Sequence, residues 1–142
     1  MLIERMNEPM LVWIADDDDD LRALVVTTLR DNGHATLEAH DGAELLELLA
    51  LARAEPTLRP DVVISDVKMP RLSGLGVLEL LRAADWKPPV VLITVLADDS
   101  IDTVARRLGA VGVLRKPFDH DDLLTAVRNA KVASELHREP GR

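Results

Sequence analysis

Five polar side chains with the chemistry to handle phosphate stand close after short apolar segments of this sequence. Asp16 and Asp17 follow one such segment, Asp66 follows another, Thr94 ends a third and Lys116 comes just after a fourth. Carboxylate, hydroxyl and ammonium groups bind divalent cations and phosphoryl oxygens. Each of them alone is typical of a turn, a surface or, for Thr94, an ordinary strand, so their function depends on whether the fold brings them together.

The carboxylates predict a site for Mg²⁺. This cation prefers oxygen ligands, takes few of them from the protein and leaves positions open for phosphate. We expect Asp17 and Asp66 to hold it together with the backbone carbonyl of Lys68, and Asp16 to bind it through a water molecule. Because three clustered carboxylates repel one another, a bound cation should stabilise the fold.

The same cluster predicts phosphoryl transfer, in which a protein mainly positions groups and neutralises charge. Asp66 would be the in-line nucleophile and would form an acyl phosphate. Lys116 would pair with the phosphoryl oxygens. The Thr94 hydroxyl would donate a hydrogen bond to another of these oxygens once the phosphoryl group is in place.

The elements that must position these residues alternate five times between a short apolar run and a helical pattern. This alternation predicts an α/β domain of the doubly wound (βα)₅ type, with a five-stranded parallel sheet. The strands are predicted at 11–15, 36–39, 62–65, 90–94 and 111–114. The helices are predicted at about 19–32, 42–53, 74–84, 98–108 and 119–132. Ligands of such sheets bind beyond the carboxyl ends of the strands, where all five polar residues are expected.

Length and composition exclude several other classes. The 142 residues suffice for one domain, predicted at 10–133 between tails at 1–9 and 134–142. The net charge of −8 argues against direct nucleic-acid binding, and the absence of cysteine excludes disulfides and Cys-based zinc sites. No apolar run approaches the ~20 residues of a membrane span, so we expect a cytoplasmic protein without membrane contact.

Four motifs together resemble the response-regulator receiver domains of two-component signalling. They are IADDDDDLR at 14–22, DVVISDVKMP at 61–70 with Gly74, VVLIT at 90–94 and LRKPF at 114–118. The resemblance covers roughly residues 10 to 132 and implies a flavodoxin-like sandwich. It also implies Mg²⁺ as the working ion, phosphorylation of Asp66, and a cis peptide before Pro117 that aims Lys116 into the site.

The resemblance further implies partners. A histidine kinase or phosphotransfer protein would donate the phosphoryl group, and a downstream output protein or domain would read the switched surface. That surface is the face formed by the fourth helix, the fifth strand and the fifth helix, through which a homodimer is a further expectation. We therefore expect a signalling module rather than an enzyme.

Three positions depart from the family pattern. Val113 stands where the family has an aromatic switch residue, Val95 stands where it usually has Gly or Ala, and Lys68 lies two residues beyond the nucleophile. Val95 and Val113 keep open a phosphorylation-independent interaction module as the alternative function. A haloacid-type hydrolase is a third hypothesis, but it normally has an Asp where this chain has Lys68.

The remaining polar residues have simpler interpretations. Asp18, Asp19 and Asp20 are predicted to form a solvated helix N-terminus, which the helix dipole favours. Arg22 is predicted to be a surface residue of the first helix. The histidines at 34, 40, 120 and 137 have no metal-ligand spacing and are expected on the surface. Trp13 is expected in the core, and Trp86 in a partly exposed loop.

Overall fold

The computed structural model describes residues 8–69, 72–95 and 99–138 of the chain. Its strands are β1 (Leu11–Ala15), β2 (Ala35–Ala39), β3 (Val62–Asp66), β4 (Val90–Thr94) and β5 (Gly112–Arg115). They form one parallel sheet in the order β2-β1-β3-β4-β5. The predicted five-stranded parallel sheet is therefore confirmed, although β3 includes Asp66, which we had placed after the strand.

Five helices connect the strands and cover both faces of the sheet. They are α1 (Asp19–Asp31), α2 (Gly42–Ala54), α3 (Gly74–Arg82), α4 (Asp99–Arg107) and α5 (His120–Arg138), with a short 3₁₀ turn at Pro56–Leu58. Helices α1 and α5 pack on one face through aliphatic side chains. Helices α2, α3 and α4 pack on the other face, where Trp13 is fully buried as expected. These two layers confirm the doubly wound architecture.

Side chains fix where the helices begin. Asp18 accepts hydrogen bonds from the N–H groups of Asp20 and Leu21 at the start of α1, at 3.0 and 3.1 Å. Asp41 accepts from the Glu44 N–H at the start of α2. Each of these bonds satisfies an N–H group that has no partner within its helix. The short loops before α1 and α2 are therefore held in place at the carboxyl ends of β1 and β2.

The last helix is longer than predicted. We expected α5 to end near Val132, but it continues to Arg138, so residues 134–138 are helical rather than part of a tail. Lys131 supports the extra turns because its ammonium group bonds Glu135, one turn further on, at 3.0 Å. The predicted domain limits at 10 and 133 stay a prediction. No helix among the described residues is long and apolar enough to span a bilayer.

The order of the strands creates one crevice at the carboxyl edge of the sheet. From β1 the chain passes outward to β2 on one side, and it then returns to β3 on the other side of β1. The connecting loops therefore diverge between β1 and β3, and a ligand can enter there. Ala15 and Ser65 are paired in the sheet, so the residues that follow them lie side by side at this crevice.

Candidate functional site

Three carboxylates meet at the crevice between β1 and β3. Asp16 and Asp17 directly follow β1, and Asp66 is the last residue of β3. One oxygen from each of the three lies within 4.8 Å of the others. The structure thus brings together the three acidic residues that the sequence singled out as a metal site.

Asp16 is almost fully buried, with 1% of its surface exposed. Its Oδ1 accepts a hydrogen bond from the Asp18 N–H at 2.9 Å, while its Oδ2 has no hydrogen-bond partner within the described part of the chain. Burial raises the pKa of Asp16 to about 6, and the charges of Asp66 and Asp17 act in the same direction. The Asp18 N–H and Lys116 oppose this rise of the pKa.

These residues fit a hard divalent cation. A buried carboxylate oxygen without a partner is costly, and a cation beside it would supply the missing interaction. Asp17 is exposed, so the cluster opens to solvent on one side. Oxygen donors that are mostly carboxylates suit Mg²⁺ better than the softer metals, which prefer thiolate or imidazole.

Lys116 directly follows β5, two strands away from β3, and its side chain reaches Asp66. Its Nζ lies 3.4 Å from Oδ2 of Asp66, and the two side chains are 21% and 12% exposed. The Lys116–Pro117 peptide is cis, as the resemblance implied. The Lys116 N–H donates to the Thr94 carbonyl at 2.8 Å, so β4 also holds the backbone that carries this ammonium group.

Asp66 has a second contact on its other oxygen. Oδ1 accepts from the Lys68 N–H at 3.2 Å, which curls the chain back over the end of β3. The predicted role of the Lys68 carbonyl as a metal ligand stays a prediction. Pro70 of the same motif lies outside the described residues.

Thr94, the last residue of β4, and Val95, which follows it, lie in different environments. Ile93 pairs with Asp66 in the sheet, and Thr94 is the next residue toward the crevice, where it is buried at 2% exposure. Its hydroxyl is therefore carried to the level of the site by the strand itself. Val95 is 65% exposed, so most of its side chain faces solvent.

Arg22 was expected on the surface, and that prediction was wrong. Its side chain is only 15% exposed and makes three polar contacts. The guanidinium donates to the Asp16 carbonyl at 2.8 Å, to Asp19 at 2.7 Å and to Glu38 at 3.1 Å. Arg22 thereby ties the acidic loop to α1 and β2. The spacing of Asp19 and Arg22 was visible in the sequence, but the contacts to Asp16 and Glu38 depend on the fold.

The histidines take no part in the carboxylate cluster. His40 and His120 are exposed, as expected. His34 is instead half-buried, and its Nδ1 accepts a hydrogen bond from the Met10 N–H at 3.1 Å. The side chain of His137 lies outside the described part of the chain. Among the described residues, Asp16, Asp17 and Asp66 are the one acidic or histidine group whose geometry could hold a metal ion.

Comparisons with known proteins agree with this geometry. A family model described as "Response regulator receiver domain" matches residues 12–128. The chain is 32% identical to the regulatory protein AtoC of Escherichia coli over 90% of its length, and 36% identical to the response regulator MprA of Mycobacterium avium over 84%. It spans only 26% of AtoC and 50% of MprA.

A solved structure shows the same fold. The chemotaxis response regulator CheY4 of Vibrio cholerae superposes with a TM-score of 0.74 at 32% sequence identity. The match covers 87% of this chain and 99% of CheY4. Similarity therefore extends over nearly the whole described fold.

Proposed function

The chain belongs to the response regulator receiver domain family, and from that premise we propose that Asp66 accepts a phosphoryl group in a Mg²⁺-dependent reaction. The observation that carries the proposal is the surroundings of Asp66. Its carboxylate lies 3.4 Å from the Lys116 ammonium group and within 4.8 Å of two further carboxylates. Positive charge on one side and a cation site on the other are what a phosphoryl group requires.

Asp16, Asp17 and Asp66, with the Lys68 carbonyl, would hold the Mg²⁺ ion. When bound, the cation neutralises the phosphoryl oxygens and the acidic cluster, so that an anionic donor can approach. Arg22 contributes indirectly, because its bond to the Asp16 carbonyl fixes the loop from which Asp16 and Asp17 project. It is a positioning residue for the site.

Three side chains would have separate roles in the transfer of the phosphoryl group. A carboxylate oxygen of Asp66 forms a bond to phosphorus while the phosphorus–nitrogen bond of a donor phosphohistidine breaks, and the imidazole leaves. Lys116 is placed to exchange its contact with Asp66 for a contact with a phosphoryl oxygen. The hydroxyl of Thr94 would donate to another of these oxygens, at the level to which β4 carries it.

The donor would be a histidine kinase or a phosphotransfer protein, and the switched surface would be the α4–β5–α5 face. Arg115 of β5 directly precedes Lys116 and forms an ion pair with Asp102 of α4 at 2.9 Å. A shift of Lys116 toward a phosphoryl group would therefore act on α4 through its neighbour. We also propose that a downstream output domain or protein, or a second copy of the chain in a homodimer, binds this face. The domain would span residues 10–133, and the protein would be cytoplasmic.

A phosphorylation-independent interaction module is the second candidate. Val113 favours it, because this half-buried aliphatic residue packs against the cluster under α4 and offers no aromatic ring to move. In that module, the pair between Lys116 and Asp66 would be a permanent structural contact. The two candidates differ in whether Asp66 reacts.

The test is incubation with Mg²⁺ and acetyl phosphate, followed by intact-mass measurement. We expect the mass of one added phosphoryl group, lost in Asp66→Asn and absent when EDTA replaces Mg²⁺. Asp20→Asn serves as the matched control, because it removes one charge from the exposed part of the acidic run. A folded wild-type chain that gains no mass would favour the second candidate, and an adduct that persists in Asp66→Asn would refute the assignment of the nucleophile.

A further inference from the structure

A second cavity lies at the opposite end of the sheet from Asp66. It has a volume of about 620 Å³ and lies at the amino-terminal end of β4, between α3 and the loop that follows α4. Leu78, Trp86, Leu108 and Val111 contribute to a lining that is mostly apolar. Binding sites for small organic molecules commonly have volumes of roughly 300–1,000 Å³ and a lining of this kind.

Core residues fix the position of Trp86, the aromatic residue that lines the cavity. The Trp86 ring packs edge-to-face against Trp13 with 5.9 Å between ring centroids, and the Arg59 guanidinium lies 5.5 Å from the Trp86 ring. Trp13 is itself anchored, because its indole N–H donates to the Leu58 carbonyl at 3.0 Å. Trp86 therefore offers a ring whose position is set by the core rather than by a ligand.

The loop that closes the cavity is constrained by its backbone. Lys87 has a φ of +29°, a conformation that side-chain-bearing residues rarely adopt, and it is followed by Pro88 and Pro89. The Lys87 N–H donates to the Ala84 carbonyl at 3.2 Å, which closes the turn. Such a conformation persists only where the surrounding structure enforces it. The backbone of the loop that borders the cavity is therefore restricted.

The charged residues around the cavity are mostly positive, whereas the whole chain has a net negative charge. Arg82, Lys87 and Arg107 line it together with a single carboxylate, Asp85, although the whole chain has a net charge of −8. Within the described residues, the side chains of these three cations make no hydrogen bond or ion pair. A negatively charged group at the mouth of the cavity would therefore meet unpaired cations rather than compete for paired ones.

We propose that this cavity binds a small organic anion with a flat apolar body. The apolar body would lie against Trp86 and Leu108, and the anionic group would face the cations at the rim. An inorganic anion would leave the apolar lining of the cavity exposed to water. A neutral apolar molecule would leave the three cations without an anionic partner. The site is separate from the phosphoryl site, because it lies about 13 Å away along β4, at ~3.3 Å for each residue of a strand.

The test uses two probe molecules that differ by one sulfonate group. 8-Anilinonaphthalene-1-sulfonate has a flat aromatic body and a sulfonate, and N-phenyl-1-naphthylamine is the same body without the sulfonate. Each would be titrated into the ¹⁵N-labelled 142-residue chain and followed by NMR, with calorimetry for the affinity. We expect the anionic probe to bind at one site, to shift the Trp86 indole signal more than that of Trp13, and to bind at least tenfold more tightly than the neutral probe.

Variants distinguish binding at this cavity from a general electrostatic attraction between the protein and an anion. Arg107→Gln should weaken binding of the sulfonate at least fivefold, whereas Arg106→Gln should leave it unchanged. Arg106 is the matched control, because it is exposed on the same helical turn but does not line the cavity. Equal losses in the two variants, shifts that cluster elsewhere, or equal affinity for both probes would each overturn the proposal.

Discussion

At the scale of single residues, Asp16 is where burial and charge conflict most strongly. One oxygen is satisfied by the Asp18 N–H, and the other is enclosed by protein with no partner among the described residues. Two further carboxylates stand within ligand distance of it. The site therefore stores unfavourable electrostatic energy that a cation would release.

Asp16→Asn should stabilise the metal-free protein. The amide keeps an oxygen for the Asp18 N–H and turns a donor toward the neighbouring carboxylates. Since the pKa of Asp16 is raised to about 6, and one pKa unit corresponds to about 1.4 kcal/mol, the gain should be on the order of 1–3 kcal/mol at neutral pH. Urea unfolding in EDTA measures it. Added Mg²⁺ should stabilise the wild type more than the variant, and a less stable variant in EDTA would contradict the electrostatic account.

Arg22→Gln should weaken Mg²⁺ binding by about tenfold, because residues that orient metal ligands commonly contribute 10–100-fold to affinity. The guanidinium holds the Asp16 carbonyl, Asp19 and Glu38 at once, and the shorter amide cannot. Mg²⁺ titration by calorimetry is the measurement. Arg30→Gln is the control, because Arg30 joins the same helix to Thr36 of β2 at its far end. Equal Mg²⁺ affinity in the two variants would reduce Arg22 to a purely structural role.

At the scale of elements, the ends of helices and strands are joined by specific polar contacts. His34, in the turn between α1 and β2, accepts from the Met10 N–H just before β1. Burial lowers the pKa of His34, the charge of Arg128 on α5 lowers it further, and Asp61 before β3 opposes them. The neutral ring is thus the form that the fold requires, since a protonated Nδ1 could no longer accept.

Acidification should therefore weaken the native state through His34. Because the folded pKa lies below the ordinary value, the unfolded chain takes up the proton first, and stability is lost as pH falls below about 6.5. We expect the urea midpoint of the wild type to fall more between about pH 7.5 and about pH 5.5 than that of His34→Gln. His120→Gln, which alters an exposed histidine, should behave like the wild type. An identical pH response in His34→Gln would refute the role of this contact.

At the scale of the whole molecule, the two ends of one sheet serve different purposes. The carboxyl edge gathers the acidic cluster, and the amino edge of β4 carries the apolar cavity with its basic rim. The three central strands between them, β1, β3 and β4, have middle residues that are all buried. Ligands at the two edges would therefore act on a shared, tightly packed layer.

The length of α5 gives a prediction at this scale. A chain that ends at residue 133, the predicted domain limit, should fold but melt at a lower temperature than one that ends at 138. It loses Glu135, the helical partner of Lys131, and a turn of helix, a loss on the order of 1 kcal/mol or roughly 4 °C for a chain of this size. Scanning calorimetry measures the difference, and Glu135→Gln in the longer chain isolates the ion pair. Equal melting temperatures would support the limit at 133.

The fold class, most strand positions and the carboxylate cluster could be predicted from the amino-acid sequence. Continuous apolar runs predict strands that are buried on both faces, so β1 and β4 were predicted to the residue. The apolar run predicts that β3 ends at Ser65, yet the pairing of Asp66 with Ile93 continues the ladder by one residue. Arg22 was misjudged because its partner Glu38 is 16 residues away, and the orphaned oxygen of Asp16 depends on packing that no local pattern reveals.

The packing of Trp13 against Trp86 gives the protein an optical property of its own. The sequence has no tyrosine and only these two tryptophans, and the structure sets their rings 5.9 Å apart at an interplanar angle of 75°. Transitions of two indoles this close are coupled, so their circular dichroism should contain a paired band that neither ring shows alone. Trp13 is in the sheet and Trp86 is in a loop. The intensity of that band would therefore report movement of the loop relative to the sheet, without any added label.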